Sequence, residues 1–258
     1  MKTTKNITKW LFVSTLISMV LIGCERELEE LEPASYPSNP EVFMDMFSSG
    51  LNYAAFGGSV PSAFDVDNEV TYNNSEASMK FEVPDKDDPR GAYAGGAFFT
   101  SVGRDLSPYN ALTFWVKASQ SATLDVLGFG NDLGENKYQV SISNVQVNTA
   151  WKKVIIPLPD PSKLTQEKGM FFYSEGPEDD KGYTFWVDEV KFDSLGTIAH
   201  PYFAIVNGED QTESSFVGIS KAIGGLNSVY NMPTGINQAF DISAAYFDFS
   251  SSDESIAT

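Results

Sequence analysis

Several features that usually announce a function are scarce in this chain. Its 258 residues hold one cysteine, Cys24, so no intrachain disulfide framework exists. They hold one histidine, His200, next to Pro201, which argues against histidine-based triads and histidine-rich zinc sites. Basic residues are few, with 17 Lys+Arg against 35 Asp+Glu and a net charge of −18. So acidic a chain repels nucleic acid and disfavours an anionic polysaccharide. Long apolar runs are missing as well. The run from Trp10 to Ile22 is too short to cross a bilayer comfortably, and no later run is long enough to span one. The spacing Gly128-x-Gly130-x-x-x-Gly134 is wrong for a nucleotide loop and no helix follows it. Chance pairs among so many acids say little about glycoside hydrolysis.

What is present begins with a leader. Lys2, Lys5 and Lys9 precede the apolar run, and Leu21-Ile22-Gly23-Cys24 closes it. This resembles the lipobox of bacterial lipoproteins, which implies lipidation of Cys24 and removal of residues 1–23. That removal takes away three lysines and no acid, leaving 14 Lys+Arg against 35 Asp+Glu and a net charge of −21. Residues 25–32, Glu-Arg-Glu-Leu-Glu-Glu-Leu-Glu, form an acidic tether similar to the surface-export signal of Bacteroidetes-type lipoproteins. The expected location is the outer membrane, lipid-anchored and facing the cell exterior. An outer-membrane transporter is a possible partner.

After the tether, which ends with Pro33, Pro37 and Pro40 by residue 41, the chain alternates. Strands are expected near residues 42–47, 63–66, 77–83, 92–100, 111–118, 123–129, 137–143, 151–158, 170–173 and 183–192. Loop chemistry separates them, and hardly any stretch has a helical period. In Leu112-Thr113-Phe114-Trp115-Val116-Lys117, Leu112, Phe114 and Val116 share one face. The pattern predicts an all-β protein, one antiparallel β-sandwich of the jelly-roll type over residues 42–196. From residue 197 the chain turns Gly-, Ser- and Asn-rich without strong strands. Its end, Ser250-Ser251-Ser252-Asp253-Glu254-Ser255-Ile256-Ala257-Thr258, resembles the middle of a bacterial Ig-like domain of group 2. Residues 197–258 are thus expected to be a linker and an incomplete Ig-like β segment, as in a truncated version of a longer protein.

An ordered set of motifs carries a second resemblance. It comprises Arg-Gly-Ala-Tyr-Ala-Gly-Gly-Ala-Phe-Phe at 90–99, Arg104-Asp105-Leu106-Ser107, Ala-Leu-Thr-Phe-Trp-Val-Lys at 111–117, Trp-Lys-Lys-Val-Ile-Ile-Pro at 151–157 and Tyr-Thr-Phe-Trp-Val-Asp-Glu-Val-Lys-Phe at 183–192. The set is similar to the galactose-binding-like jelly rolls of carbohydrate-binding modules, nearest to the family-11 type. The resemblance implies a concave sheet made from the strands at 92–100, 123–129, 137–143 and 170–173, with a saccharide lying on it. Sugar rings offer apolar C–H faces ringed by hydroxyls, so flat aromatics and planar polar groups are wanted there. The outward residues expected on that sheet are Tyr93, Asp125, Phe129, Asn131, Gln139, Tyr173 and Glu175. A one-residue slip in register would swap their faces. Trp115 and Trp186 fall on the other sheet and Trp151 at a strand start, which favours structural roles.

The resemblance also implies a structural calcium, with Asp188 of the closing strand and Asp45 of the first strand as ligands; the acid usual at Ser48 is missing. Calcium takes six to eight oxygens, more than two carboxylates supply, and capping of loop amides is the alternative for Asp188. The functional expectation is non-catalytic binding of a neutral polysaccharide at the cell surface, in a glycan-uptake system. The alternatives are the targeting module of a truncated glycoside hydrolase or lyase, and a structural or adhesive surface protein.

Overall fold

The computed structural model describes residues 35–196 and 198–255. The leader, Cys24 and most of the tether lie outside them, as do the last three residues of the Ig-like phrase. Among the described residues, fourteen strands form two antiparallel sheets. They are β1 (Glu41–Phe43), β2 (Leu51–Ala55), β3 (Phe64–Asp67), β4 (Ser78–Val83), β5 (Ala94–Arg104), β6 (Ala111–Ala118) and β7 (Ala122–Phe129). Then come β8 (Val140–Val147), β9 (Lys152–Pro157), β10 (Glu167–Glu175), β11 (Tyr183–Asp193), β12 (Ala199–Ala204), β13 (Asn227–Asn231) and β14 (Asn237–Ile242). The first sheet runs β3-β4-β11-β6-β9, with β1 paired to β11; the second runs β12-β13-β14-β8-β7-β10-β5-β2. This is an all-β antiparallel sandwich of the jelly-roll type. The four strands expected to share a sheet, β5, β7, β8 and β10, do share one.

Alternation sends every second side chain between the sheets. Phe81, Phe98, Phe114, Phe129, Phe171, Phe185 and Phe192 are fully buried there, with Tyr173 and Met79. Each such burial contributes roughly 1.5–3 kcal/mol. Three irregularities shift the alternation. In β11 the register slips between Asp188 and Lys191, where Glu189 takes a positive φ of 50°, so that Val187 and Val190 both point inward. In β10 the pairing with β5 slips between Gly169 and Phe171. In β7 and β8 the inward residues stand three apart, Leu124 with Leu127 and Ile142 with Val145, and Asn144 takes a positive φ of 58°.

The segment after residue 197 differs from expectation. It contains three strands, and they continue the second sheet: Asp241 and Ile242 of β14 pair with Ser141 and Val140 of β8. Tyr230, Phe240 and Ile242 enter the core. The turn between β13 and β14 closes through Gly235, whose N–H donates to Met232 O with a φ of 79°. The strands are short, and their apolar residues are too few to stand out along the sequence. They become stable by adding to an edge that already exists.

Candidate functional site

The outer face of the second sheet can be built residue by residue from its register. Ala54 of β2 pairs with Ala97 of β5, Ala97 with Phe172 of β10, Phe172 with Gly128 of β7, and Gly128 with Ser141 of β8. None of these five belongs to the core cluster, and their chain neighbours Phe98, Phe171, Tyr173, Leu127 and Ile142 all do. They therefore form one row on the outer side of the sheet across five strands, in which Ala97, Gly128, Phe172 and Ser141 are nonetheless buried, Phe172 to 3% exposure. A parallel row runs through Gly95, Ser174, Val126 and Ser143. A third position pairs Asn52 with Phe99.

This face has a floor of very small residues with rings laid over it. A Cβ at Gly95 would meet Tyr93 Cε2 at 2.5 Å and Phe56 Cδ2 at 3.1 Å. A Cβ at Gly128 would meet Phe172 Cε1 at 2.5 Å and collide with Val140 O. Glycine is needed at both places because an aromatic ring occupies the space a side chain would take. Phe56, Tyr93 and Phe99 are half-buried, so each ring keeps part of its surface accessible. The Tyr93 hydroxyl donates to Gly57 O at 3.1 Å, and the Asn52 amide donates to Ser101 Oγ at 3.3 Å. Asp125 is exposed, and one carboxylate oxygen accepts the Gly176 N–H at 2.7 Å. Partly accessible rings, a planar amide and a carboxylate on one sheet face are groups that a sugar chain can use.

Of the residues expected on this face, Tyr93 and Asp125 are there. Asn131 and Gln139 are half-buried in the loop joining β7 to β8, where the Asn131 carboxamide oxygen accepts the Leu133 N–H and the Gln139 carbonyl accepts the Ser243 N–H. Phe129, Tyr173 and Glu175 point the other way and are fully buried. Phe129 packs edge-on against Phe192, and the Tyr173 hydroxyl meets that of Tyr53 at 2.9 Å. The outward residues are instead their neighbours Gly128, Phe172 and Ser174. Phe56, Phe99 and Phe172 were missed. In Met170-Phe171-Phe172-Tyr173 both phases of the strand are apolar, so the sequence holds no signal for which ring faces out.

Glu175 has a structural task. Its carboxylate accepts the N–H of Asp125 at 2.5 Å and also that of Val126, holding the strand where the alternation shifts. Burial pushes its carboxyl well above the usual carboxylate range, and the nearby Asp125 adds to this. Its other oxygen has no partner among the described residues.

The two residues expected as calcium ligands, Asp188 and Asp45, both hold the 72–76 loop. Asp188, fully buried, accepts the Tyr72 N–H at 2.7 Å, the Ser75 hydroxyl at 2.6 Å and the Glu189 N–H at 2.7 Å. Asp45 accepts the Glu76 N–H at 2.6 Å. Both carboxylates thus anchor the 72–76 loop by accepting its hydrogen bonds. Burial raises the Asp188 carboxyl, against these hydrogen bonds, and Asp45 pushes in the same direction. No cluster of three acidic, histidine or cysteine ligands exists among the described residues. The first-strand segment is pinned by a different cation, Arg104, which is 2% exposed. Its guanidinium donates to Glu41 O at 2.6 Å, Asn39 O at 3.3 Å and Ser48 Oγ at 2.7 Å.

The antiparallel jelly roll is a fold that carbohydrate-binding modules share with many other proteins. The model of carbohydrate binding domain 30 matches residues 43–194, more than half of the chain, and the chain belongs to that family. The family-11 resemblance is thereby refined to family 30, and the matched region is a carbohydrate-binding module, a non-catalytic domain. Similar solved structures include the family 30 module of a cellulosomal cellulase of Clostridium thermocellum, 20% identical, covering 63% of this chain and 96% of that one with a TM-score of 0.41. A family 11 module from the same organism, in complex with a β-1,3-1,4-mixed-linked tetrasaccharide, is 13% identical and covers 61% and 97% with a TM-score of 0.40. A family 61 module in complex with β-1,4-galactotriose is 15% identical and covers 63% and 100% with a TM-score of 0.38. No curated protein matches the chain closely enough to be counted as a relative.

Proposed function

We propose that the outer face of the second sheet binds a neutral polysaccharide at the cell surface, in the service of glycan uptake. The observation that carries this reading is the set of half-buried rings Tyr93, Phe56 and Phe99 and the exposed Asn52 and Asp125, placed on one outer face around the small-residue row Ala54–Ala97–Phe172–Gly128–Ser141. The glycines let these rings lie close against the sheet, and the half-buried Tyr93, Phe56 and Phe99 keep surface on which the apolar faces of sugars can stack. Asp125 stands beside this row, and the chain as a whole carries a charge of −18, both of which favour an uncharged ligand. The leader ending at Cys24 supports export and lipid anchoring to the outer membrane, with the acidic tether holding the module away from the bilayer. From there the module would hand its glycan to an outer-membrane transporter.

Affinity electrophoresis of the chain freed of residues 1–24, in gels containing a panel of neutral polysaccharides, tests the binding. At least one glycan should retard it. Phe99→Ala should weaken that binding about tenfold, about 1.4 kcal/mol, with the melting temperature nearly unchanged because the ring lies outside the core. Full mobility in every gel would refute the reading. The anchor has its own test: Cys24→Ser should release the protein from the membrane fraction of expressing cells.

A further inference from the structure

The row that crosses the family module does not stop at its last strand. Ser141 of β8 pairs with Asp241 of β14, Asp241 with Asn227 of β13, and Asn227 with Ala204 of β12. One unbroken line of partners thus spans all eight strands of the second sheet, from Ala54 to Ala204. Beside it runs Ala239–Val229–Tyr202, again one residue from each added strand. Tyr230, Phe240 and Ile242 are buried, so alternation turns Asn227, Val229, Ala239 and Asp241 to the same outer face as Phe172 and Gly128. Asp241 is exposed, Asn227 is half-buried, and Tyr202 keeps 61% of its surface open.

We infer that β12, β13 and β14 extend the saccharide-binding face beyond the family module, with Tyr202 as a stacking ring and Asn227 and Asp241 as hydrogen-bonding groups for further sugars of the same chain. This rests on the carbohydrate-binding reading of the second sheet. Neighbouring strands lie about 4.8 Å apart, which puts Asp241 roughly 14 Å from Phe172 along the row, and Tyr202 two strands further on. Side chains directly opposite across a strand pair lie about 5 Å apart and diagonal ones about 7–8 Å, so Tyr202, Asn227 and Asp241 can converge on one stretch of ligand. The chemistry repeats that of the module's own face: an accessible ring next to a planar amide and a carboxylate. The occupant is the continuing neutral glycan, because the new positions are collinear with the row that already receives it and add a negative charge.

The test uses the chain freed of residues 1–24 with mixed-linked β-1,3-1,4-glucan, β-1,4-galactan, xylan and mannan, each as the polymer and as its tetrasaccharide. Tyr202→Ala and Asn227→Ala should each weaken binding of the polymer about fivefold and leave the tetrasaccharide unchanged, whereas Phe99→Ala should weaken both. The melting curve of Tyr202→Ala should overlay that of the unaltered chain, since the ring is exposed, whereas Asn227→Ala also removes hydrogen bonds to Asn207 Oδ1 and Gly225 O and should melt slightly lower. If Phe99→Ala weakens polymer binding but Tyr202→Ala and Asn227→Ala do not, the extension is wrong and the module's own site stands. If the unaltered chain binds none of the glycans, both readings fall together.

Discussion

The two outer faces of the sandwich both carry aromatic residues, and they differ in what those residues touch. On the first sheet Tyr72 stacks on Trp115 with centroids 4.0 Å apart and planes at 15°, and Trp151 meets Tyr72 edge-on at 5.9 Å. The Lys117 ammonium lies 5.8 Å from the ring centroids of both Trp151 and Trp186, and the Trp186 N–H donates to Asp67 at 2.8 Å. These rings are satisfied by one another. On the second sheet Tyr93, Phe56 and Phe172 lie over glycines, and their neighbours are alanine and serine. Aromatic content alone would have put a sugar on the tryptophan-rich face. The proposed site lies on the other face, where the half-buried Tyr93, Phe56 and Phe99 have no aromatic partner on the outer side among the described residues.

Substitutions can break this contrast. Trp115→Ala removes the ring on which Tyr72 stacks and should lower stability by about 2–3 kcal/mol, read from the denaturant midpoint, while glycan retardation stays as it was. Lost retardation in a still-folded Trp115→Ala protein would assign the ligand to the wrong sheet. A smaller effect is expected at Glu175, which fixes the phase of the second sheet. Its folded carboxyl is raised, so its contribution to stability is complete below the ordinary value of 4.5 and disappears as pH rises through the raised one. Glu175→Gln cannot ionise. The melting temperature of the variant should therefore fall less than that of the unaltered chain as pH climbs across that window. Parallel pH profiles would show that the carboxyl is ionised at no cost. The smallest change is predicted for Lys117→Ala, about 0.5 kcal/mol of stability from two partly exposed cation–π contacts, and none in glycan binding.

The strands of the module were legible because their apolar residues recur every second position. Leu112, Phe114 and Val116 were assigned to one face and are buried there, and Trp115 and Trp186 were assigned to the sheet that carries them. The site was legible only in part, and β7 shows why. Asp125 and Phe129 are four apart, so strict alternation gives them the same face. The extra residue between Leu124 and Leu127 reverses the phase, leaving Asp125 in solvent and Phe129 in the core. In β10 nothing in the run from Met170 to Tyr173 distinguishes one phase from the other. The last three strands were missed because a short Ser-Val-Tyr-Asn or Ala-Phe-Asp-Ile stretch has no independent stability; it exists as part of an edge that lies far back in the chain.

Composition and period-two patterning were enough to define an acidic β-sandwich whose lone cysteine excludes an intrachain disulfide, since these follow from residue chemistry and local geometry. Three-dimensional pairing was needed to say which rings of β5, β7 and β10 look outward, what Asp188 and Arg104 hold, and that residues 199–242 lengthen the second sheet. Register is a relation between strands distant in sequence, and a single inserted residue reverses it, so no local pattern can encode it.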